Sequence, residues 1–427
     1  MQTNGRNAIH MSKFVLALNS GSSSLKFNLF AISQEEKLSP YTQGIVEEIG
    51  SPEKSRMKFS VREEKHENNA GIKTHREALA MIFSEFKRHD INTSDICAVG
   101  HRVVHGGEKL KESVRIDKNV IKTIRELIPI APLHNPPNLT GIEESMGLFP
   151  EIPQVAVFDT AFHSTLPDYA YRYAIPEKWY SGYGVRKYGF HGTSHMYVSK
   201  RAARFLGMPF DKINCITAHL GNGCSITKVE GGESVDTSMG FTPLQGVAMG
   251  TRSGDIDPAL IAYVADIIAG SERIDRAKAY DTVMSSLNRE SGLKALAGTN
   301  MMQTIRERAL KGDKIADMAL SVYAYKIAYY IGAYWAGMPE THAVIFTAGV
   351  GENEGYVRKK ILGFLKQFRI SVDEEKNSIR KKEVVIGTGG NTKIMVIPTD
   401  EEIVLGYDAY FLGHLGRKVP EKYPFEE

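Results

Sequence analysis

Short apolar runs alternate along most of the chain with segments that have a helical period. The first run, at residues 14–18, is unbroken and of strand length, which predicts a strand buried on both faces. After a Gly/Ser turn, Leu25, Phe27 and Leu29 alternate with polar residues, and this period of two predicts a second strand. The strand that follows the turn excludes a Walker-type phosphate loop, because such a loop must open a helix.

Helices are predicted where a capping signal precedes an apolar segment of helical period. They are expected from the Thr74/Glu77 capping box to about Arg88, from Asp257 and Pro258 to a stop at Gly270, and over residues 313–336. The third helix is apolar on most faces, which predicts burial in the core or in a subunit interface.

Further strand-like runs recur between the helical ones, namely ICAVGHRVVHGG, VAVFDT, CITAHL, AVIFTAG and KIMVIPTD. This alternation is typical of an α/β protein and predicts mainly parallel sheets. Several runs end in Asp, His or Gly followed by small residues. Because ligands of open α/β sheets bind at the carboxyl ends of strands, we expect functional side chains at these ends.

Length and charge narrow the class of protein. A chain of 427 residues is longer than one hydrophobic core usually grows, so two domains are expected. The 53 basic residues nearly balance the 50 acidic ones, and no Lys/Arg block stands out. Neither nucleic acid nor a membrane is therefore expected as a partner, and a small molecule is the better candidate.

The cysteines and the N-terminus indicate a cytoplasmic protein. Cys97, Cys215 and Cys224 form no CxxC pair, which argues against a disulfide framework and a zinc site and fits a reducing compartment. Residues 1–13 lack the apolar core of a signal peptide, and no apolar stretch is long enough to span a membrane. The residues before Met11 precede the first strand signal, and we interpret them as a tail or a misassigned start.

Three glycine-rich turns follow predicted strands, at residues 19–24, 219–223 and 349–353. Glycine lets the backbone approach a ligand closely and aim N–H groups at phosphate oxygens. Any one of them alone is better read as a plain turn. All three together, each at a strand end, predict a nucleotide held between two domains.

Two His-x-x-x-His pairs raise the question of zinc. His101 and His105 lie in a strand-like segment, where four residues separate the side chains by about 13 Å, too far to share one ion. His191 and His195 lie in HGTSH, which lacks the glutamate of the metalloprotease motif. Zinc hydrolysis is therefore not expected.

Two arginines lie in segments punctuated by Gly and Ser. Arg102 is in GHRVVHGG and Arg252 in MGTRSGDIDP, and a planar guanidinium binds carboxylate or phosphate through two parallel hydrogen bonds. The alternative for each is a structural salt bridge to an internal acid such as Asp255.

The segment PTDEE near the C-terminus combines a helix start with acidic side chains. Thr399 and Glu402 have capping-box spacing, which predicts that they cap the last helix. Asp400 and Glu401 are then left at a helix N-terminus beside a strand end, available to Mg²⁺ directly or through water.

With nine motifs in family order, the chain resembles the acetate kinase family from about Lys13 to Leu412. The motifs are VLALNSGSSSLK, GHRVVHGG, APLHNP, FDTAFH, YGFHGTSH, HLGNGCS, DTSMGFTPLQGVAMGTRSGDIDP, VGEN and PTDEE. The resemblance implies an α/β fold of two ribonuclease H-like domains, of the actin-like ATPase type, with an interdomain nucleotide cleft. It implies an N-terminal domain of residues 12–160 joined by residues 398–427, and a nucleotide-binding domain of residues 161–397 that forms a homodimer.

The resemblance also implies roles for single residues. The implied catalytic residues are Asp159, His191 and Arg252, the last two acting on the transferring phosphoryl group. The implied substrate-binding residues are Arg102 for the carboxylate and Val104, Leu133, Phe190 and Pro243 for the methyl group, with His134 and Thr193 in neighbouring motifs. The implied nucleotide-binding residues are Lys26, His219, Leu220, Gly221, Asn222, Gly223, Gly349, Val350, Gly351, Glu352 and Asn353. The implied ligands of Mg²⁺, with Mn²⁺ as an alternative, are Asn19 and Glu401.

The implied reaction is the reversible transfer of the ATP γ-phosphoryl group to acetate, giving acetyl phosphate and ADP by direct in-line transfer. Acetate is already ionised near pH 7 and needs no general base. What opposes reaction is repulsion between two anions, which Mg²⁺, two arginines and a histidine offset. We therefore expect Asp159, often described in the family as a proton acceptor, to order Mg²⁺ or its waters.

The chain departs from the family pattern after Leu293. The family usually carries an Asp-Met-Arg segment at the adenosine site, whereas this chain reads AGTNMMQTIRE, with Gln303 near the position of the arginine. Both charges are absent, so we expect altered discrimination among ATP, GTP and other donors.

Two alternative functions remain at this point. A propionate or butyrate kinase is the nearest, because one methylene is worth only about 1–3 kcal/mol of discrimination. A nucleotide-switched binding protein of the actin or chaperone type would share the fold, but it has no need for Arg102, His191 and Arg252 together.

Overall fold

The structure, a computed structural model, describes residues 13–61, 64–69 and 71–427. The expectations for the residues before Met11 and for a domain start at residue 12 lie outside this range. The chain divides into two compact units. Unit 1 comprises the residues up to Ala161 together with Asp400–Glu427, and unit 2 comprises Phe162–Thr399. That the units are the predicted domains, with the predicted roles, stays a prediction.

The secondary-structure elements of the described residues follow in chain order. The strands are β1 Phe14–Ser20, β2 Ser24–Ile32, β3 Leu38–Glu47, β4 Arg56–Val61, β5 Glu64–Asn69, β6 Ile96–Val103, β7 Val114–Arg115, β8 Gln154–Phe158, β9 Cys215–Leu220, β10 Cys224–Glu230, β11 Glu233–Thr237, β12 Ala343–Thr347, β13 Ile370–Val372, β14 Val384–Gly389 and β15 Thr392–Val396. The α-helices are α1 His75–Arg88, α2 Lys118–Glu126, α3 Asn135–Leu148, α4 Asp168–Tyr171, α5 Glu177–Tyr183, α6 Gly192–Phe205, α7 Ala259–Glu272, α8 Arg276–Arg289, α9 Gly292–Ala297, α10 Met302–Leu310, α11 Lys314–Ala336, α12 Ala348–Asn353, α13 Gly355–Gly363, α14 Glu374–Asn377 and α15 Glu401–Asp408. A π-helical turn, Ala409–His414, continues α15.

Unit 1 is built on an eight-stranded sheet in the order β5-β4-β3-β2-β1-β6-β8-β7. Strand β1 pairs antiparallel with β2 and parallel with β6, and β6 pairs parallel with β8. The unbroken apolar run predicted for β1 is buried at both faces, with Phe14 to Leu18 at most 6% exposed. One face packs against α1, and a second apolar cluster around Ile124 and Ile142 lies where α2 and α3 cover the sheet.

Unit 2 repeats the same strand order in a seven-stranded sheet, β11-β10-β9-β12-β15-β14-β13. Strand β9 takes the place of β1, because it pairs antiparallel with β10 and parallel with β12, which pairs parallel with β15. The prediction of mainly parallel sheets was wrong, since each sheet has two parallel ladders and the remaining ladders are antiparallel. Consecutive hairpin strands explain the difference, because they need no helical crossover.

Most predicted helices are confirmed, with changes at their ends. Helix α1 begins after Thr74, whose hydroxyl accepts from the Glu77 N–H. Helix α11 spans the predicted segment between its N-cap Asp313 and Gly337. Helix α7 runs past the predicted stop at Gly270 to Glu272, since the left-handed residue that ends it is Arg273. Among the described residues, no helix is long and apolar enough to cross a membrane.

Helix α15 lies in unit 1 directly against β6, and the contact depends on a glycine. A Cβ added at Gly100 would lie 2.4 Å from the carbonyl oxygen of Leu405 and 3.2 Å from the Cβ of Ala409. Only glycine lets the backbones of strand and helix approach so closely. This approach positions the first turn of α15, and with it Glu401, relative to the carboxyl end of β6.

Gly100→Ala is expected to destabilise unit 1 by about 1–3 kcal/mol, because the added methyl group forces α15 away from β6. Gly147→Ala is the matched control, since a Cβ at this position in α3 meets no atom within 4 Å. Urea unfolding followed by circular dichroism measures both variants. Equal unfolding midpoints for the two would show that α15 moves without cost and would contradict the argument.

Candidate active-site residues

The carboxyl ends of three parallel strands in unit 1 carry three of the site residues predicted for this unit. Asn19 is near the end of β1, Arg102 is near the end of β6, and Asp159 directly follows β8. The Asp159 N–H donates to the Val103 carbonyl oxygen over 3.0 Å, which ties the ends of β6 and β8 together. Parallel pairing thus brings residues that are far apart in sequence to one edge of the sheet.

Arg102 and Asp159 form a two-point ion pair at this edge. Nε of Arg102 donates to Oδ1 of Asp159 over 2.8 Å, and Nη2 donates to Oδ2 over 2.7 Å. Glu401 lies 3.8 Å from Nε of the same guanidinium. Burial opposes ionisation of Arg102, but Asp159 and Glu401 outweigh it and raise its pKa above the ordinary value.

Arg102 thus forms the structural salt bridge that was the alternative to ligand binding, and its partner is Asp159 instead of Asp255. Asp255 instead accepts hydrogen bonds from the Gly246 N–H and from the hydroxyl of Tyr330. The ion pair and substrate binding are compatible, because the Arg102 side chain is 20% exposed and keeps Nη1 outside the two-point contact.

Glu401 is a mostly buried carboxyl group in the first turn of α15. Burial raises its pKa to about 7, with Asp159 and Glu402 acting in the same direction, while Arg102 and Lys26 oppose the rise. A carboxylate held where its negative charge is not fully compensated favours a cation. This donor set, with the Asn19 amide nearby in the fold, fits a hard divalent ion that takes oxygen ligands.

Asn19 and Lys26 lie opposite each other in the β1–β2 hairpin. Directly paired residues of an antiparallel ladder point to the same face, so the amide and the ammonium group share one side of the sheet. Among the described residues, no three His, Cys, Asp or Glu side chains gather in a metal-binding cluster. A cation at this edge would therefore complete its shell with water and substrate oxygens.

The predicted cap of α15 was wrong by one residue. The N-cap is Asp400, whose carboxylate accepts from the Ile403 N–H over 2.9 Å. The Thr399 hydroxyl is instead hydrogen-bonded to Ser194 within unit 2. Both Asp and Thr can cap a helix, Asp somewhat better, and the backbone turn at residue 400 places Asp400 at the cap. Asp400, which was predicted to be available to Mg²⁺, is thus engaged in capping.

The loop after β6 is held by two asparagines that the sequence reading missed. Asn138 accepts from the Val104 N–H over 3.0 Å and donates to the Ser20 carbonyl oxygen over 2.7 Å. Asn135 accepts from the His105 N–H and donates to the His105 carbonyl oxygen. The segment HNPPN was a usable signal. Its prolines predict the first turn of a helix, and a spacing of three residues puts both asparagines on one face of that helix.

The first histidine pair is structural. Burial lowers the pKa of His101 to about 4 and that of His105 to about 3, so both are neutral. Nε2 of His101 is bonded to Gln154, and Nδ1 of His105 accepts from the Gly107 N–H. His105 also lies beyond the end of β6, so the strand predicted through HRVVH is shorter than expected.

The residues predicted for the methyl pocket differ in exposure. In unit 1, Val104 follows β6, and Leu133 is 45% exposed. In unit 2, Phe190 is fully buried and precedes His191, while the Pro243 carbonyl oxygen lies 3.4 Å from Nη1 of Arg252. His134 is the N-cap residue of α3, and Thr193 is buried in the first turn of α6.

His191 and Arg252 meet at Gly223 in unit 2. A Cβ added at Gly223 would lie 3.3 Å from Nη1 of Arg252 and 3.3 Å from Cε1 of His191. His191 is the N-cap of α6 with φ 58°, a left-handed conformation that is strained for a histidine. Its ring stacks on that of His219 with centroids 4.2 Å apart. Strain of this kind concentrates at functional sites.

The surroundings of Arg252 differ from those of Arg102. Among the residues that the structure describes, no carboxylate lies within salt-bridge distance of its guanidinium, which contacts the Pro243 carbonyl oxygen and Sδ of Met249. Burial lowers its pKa, and the opposing effect of Cys224 is too small to compensate. The salt-bridge alternative fails for this arginine, and the site favours an anion.

The second glycine-rich turn joins β9 and β10 as a hairpin. Leu220 ends β9, and the Gly221 N–H donates to the Gly223 carbonyl oxygen over 3.0 Å. Asn222 accepts a backbone bond from Gly250 and a side-chain bond from Asn300, whose Nδ2 lies 3.0 Å from Oδ1 of Asn222. His219, at the end of β9, is hydrogen-bonded through Nδ1 to Ser194.

The third predicted turn is a short helix. Residues 349–353 lie in α12, which starts immediately after β12 at Ala348, a residue with φ 64°. Glu352 accepts from the Thr399 N–H over 3.1 Å, and Asn353 donates to the Gly349 carbonyl oxygen. Val350 and Gly351 complete the turn of helix. The chain thus leaves the strand through one left-handed residue, which the glycine pattern did not reveal.

Gln303 lies in the first turn of α10 and donates to Glu307 over 3.3 Å. Asn300, three residues earlier, provides the link to Asn222. The segment that departs from the family pattern is therefore joined to the second glycine-rich turn through an amide pair.

Two sheets that share the order of their central strands, with arginine, histidine, carboxylate and glycine-rich turns at the strand ends, are typical of kinases with the actin-like ATPase fold. This confirms the predicted fold class, while a nucleotide cleft between the units stays a prediction. Residues 14–406 match the acetokinase family, and the chain belongs to that family. The recognition from motifs is thereby confirmed.

Relatives and solved structures agree with this membership. The chain is 47% identical over 403 residues to an acetate kinase of Thermotoga maritima, covering 92% of this chain and 97% of the relative. It is 47% identical over 411 residues to one of Staphylococcus aureus, covering 95% and 100%. The acetate kinase of Porphyromonas gingivalis superposes with TM-score 0.83 at 40% identity, covering 93% and 99%. A propionate kinase of Francisella tularensis superposes with TM-score 0.84 at 39% identity, covering 92% and 98%.

Glu401→Gln is expected to raise the thermal unfolding midpoint of the metal-free protein above pH 7 by about 2 °C or more, because it removes a disfavoured buried charge. The folded pKa of about 7 exceeds the ordinary value of 4.5. A raised pKa contributes stability that is complete below pH 4.5 and is lost as pH rises through 7. The advantage of the variant should therefore vanish near about pH 4.

Calorimetry from pH 4 to pH 8 measures this difference. Glu126→Gln is the control, since the side chain of Glu126 is 49% exposed. An advantage of Glu401→Gln that stays constant over this pH range would contradict the assignment.

Proposed function

We propose that this chain is an acetate kinase, which reversibly transfers the γ-phosphoryl group of ATP to acetate and forms acetyl phosphate and ADP. The observation that carries the proposal is Arg252. A partly buried guanidinium without a carboxylate partner, lying against His191 and a hairpin glycine, is costly unless an anion binds it. A phosphoryl group in transfer provides that anion.

The proposed chemistry is electrostatic. Acetate is ionised near neutral pH, so its oxygen is already a nucleophile and needs no base. Nη1 of Arg102 would bind the acetate carboxylate, while Asp159 holds the guanidinium in place through its two hydrogen bonds. Arg252 and His191 would stabilise the charge on the transferring phosphoryl group. The turn at residues 219–223, helix α12 and Lys26 would hold the nucleotide phosphates.

The proposed cation is Mg²⁺, with Mn²⁺ as an alternative. Glu401 and Asn19 would hold it. The raised pKa of Glu401 supports this, because burial and the neighbouring acids outweigh the partial compensation by Arg102 and Lys26. When bound, the ion neutralises part of the phosphate charge. Both carboxylate oxygens of Asp159 accept hydrogen bonds from Arg102. Asp159 would therefore act on the ion indirectly, by ordering the water molecules around it.

The choice of acid would depend on Val104, Leu133, Phe190 and Pro243, the residues that the family resemblance assigns to the methyl group. One methylene is worth about 1–3 kcal/mol, so propionate and butyrate are close competitors. The intact GHRVVHGG and APLHNP segments favour acetate. For the donor, the amide pair of Asn300 and Asn222 and the neutral Gln303 support altered discrimination among ATP, GTP and other nucleotides. A cytoplasmic location also stays a prediction.

The proposal extends to a homodimer formed through unit 2. Helix α7 is apolar yet exposed, with Leu260 41%, Tyr263 69% and Ile267 51% exposed. Helix α11 exposes Tyr325 and Tyr329 by 52% and 62%. Soluble proteins rarely leave apolar helix faces of this extent in water, and a second copy would cover them.

Arg252→Ala is expected to lower kcat by about 10² or more, because it removes an interaction that acts on the transition state. The assay is acetyl hydroxamate formation with ATP, Mg²⁺ and acetate, repeated with propionate, butyrate and GTP. Arg276→Ala is the matched control, since the Arg276 side chain is 68% exposed on α8. A change confined to the acetate KM would contradict the role of Arg252. Nucleotide binding by the wild type without hydroxamate formation would instead favour a nucleotide-switched binding protein.

Replacing Tyr263 and Ile267 together by Asp is expected to convert the dimer into a monomer, because two charges would be buried in the contact. Light scattering after size exclusion measures the mass. Tyr169→Asp is the control, since Tyr169 is 86% exposed on α4. A dimeric double variant, or a monomeric wild type, would refute the interface.

A further inference from the structure

A chain of hydrogen bonds runs from the sheet of unit 2 to His191. Oγ1 of Thr217 on β9 lies 2.6 Å from Nδ1 of His195 on α6. Nε2 of His195 lies 2.7 Å from Oγ of Ser225 on β10, and that oxygen lies 2.8 Å from Nδ1 of His191. Thr217, His195 and Ser225 are all 0% exposed. The hydrogen bonds that lead to His191 are therefore shielded from water.

Burial determines which group donates and which accepts in each of these hydrogen bonds. Within the part of the chain that the structure describes, His195 is the sole partner of the Thr217 hydroxyl, so the hydroxyl proton has one acceptor, Nδ1 of His195. The opposite arrangement would leave a buried hydroxyl proton without an acceptor, which is costly. Burial, with His163 and His219 nearby, also lowers the pKa of His195 well below its ordinary value, so the ring carries one proton. That proton is therefore on Nε2.

The remaining bonds follow by elimination. Since Nε2 of His195 donates to the Ser225 oxygen, the Ser225 hydroxyl donates its own proton to its other partner, Nδ1 of His191. Nδ1 of His191 is then an acceptor, and a neutral His191 carries its proton on Nε2. The ring edge formed by Cε1 and Nε2 faces Gly223, with Nε2 3.4 Å from a Cβ built there, beside Nη1 of Arg252.

We propose that Thr217, His195 and Ser225 are positioning residues that hold His191 as the Nε2–H tautomer, so that a neutral ring presents an N–H donor beside Arg252. The role of this donor toward a phosphoryl oxygen rests on the proposed function, whereas the tautomer does not. A neutral donor suits this place, because a second positive charge would lie next to an arginine that already lacks a counter-ion. Neither Ser225 nor Thr217 would touch the substrate.

The test is ¹⁵N NMR of the full-length protein labelled at its 13 histidines, at pH 8, with His191 assigned by loss of its signals in His191→Gln. The wild type is expected to show His191 protonated on Nε2 and unprotonated on Nδ1. Thr217→Val and Ser225→Ala should give a mixture of His191 tautomers. Thr217→Ser keeps the hydroxyl, is the matched control, and should restore the wild-type pattern. Thermal unfolding verifies that each variant is folded.

Kinetics provide the second measurement. Ser225→Ala should lower kcat about tenfold, the effect of one misdirected hydrogen bond, and leave the acetate KM unchanged. Two results would overturn the proposed positioning of His191 even if the enzyme makes acetyl phosphate. One is a wild-type His191 protonated on Nδ1, and the other is an unaltered tautomer in both Thr217→Val and Ser225→Ala. If the protein shows the predicted tautomer but makes no acetyl phosphate, the positioning of His191 is supported and the proposed function is overturned.

Discussion

Parallel pairing of three strands in each unit is the constraint on which the functional residues depend. Buried backbone groups must be hydrogen-bonded, so the register between β1, β6 and β8 allows little variation. Their carboxyl ends therefore meet at one edge, where Asn19, Arg102 and Asp159 lie. In unit 2 the ends of β9 and β12 provide His219 and the start of α12 in the same way. A glycine at position 100 adds the first turn of α15 to this edge of unit 1.

The two edges differ in how their charge is compensated. In unit 1 the guanidinium of Arg102 is matched by Asp159, and Glu401 adds further negative charge, which favours a cation. In unit 2 no carboxylate among the described residues pairs with Arg252, which favours an anion. Such imbalances cost folding free energy. The proposed function would explain why they are retained, because donors and charges that are already oriented need no reorganisation when substrate binds. The left-handed backbone of His191 is a further cost of the same kind.

Local signals predicted some elements well and others poorly. The Thr74 cap and the long helix α11 were predicted because a cap and a helical period are both local. The cap of α15 was misplaced by one residue, since Thr399 and Asp400 both have capping side chains and only the backbone path separates them. Helix α12 was taken for a turn because its glycines resemble turn residues, and a left-handed Ala348 starts it. The sheets were expected to be mainly parallel because hairpins leave weaker signals than crossovers.

Most kinds of element, the chemical groups at the strand ends and, through the ordered motifs, the family could be predicted from the amino-acid sequence. These are properties of neighbouring residues and of their periodicity. The partners of these groups could be identified only from the fold: Arg102 with Asp159, Asn138 with Val104, and Thr217 through His195 and Ser225 with His191. The physical reason is that hydrogen bonding and charge compensation act over a few ångströms in space. Residues far apart in sequence come that close only through strand register and helix packing.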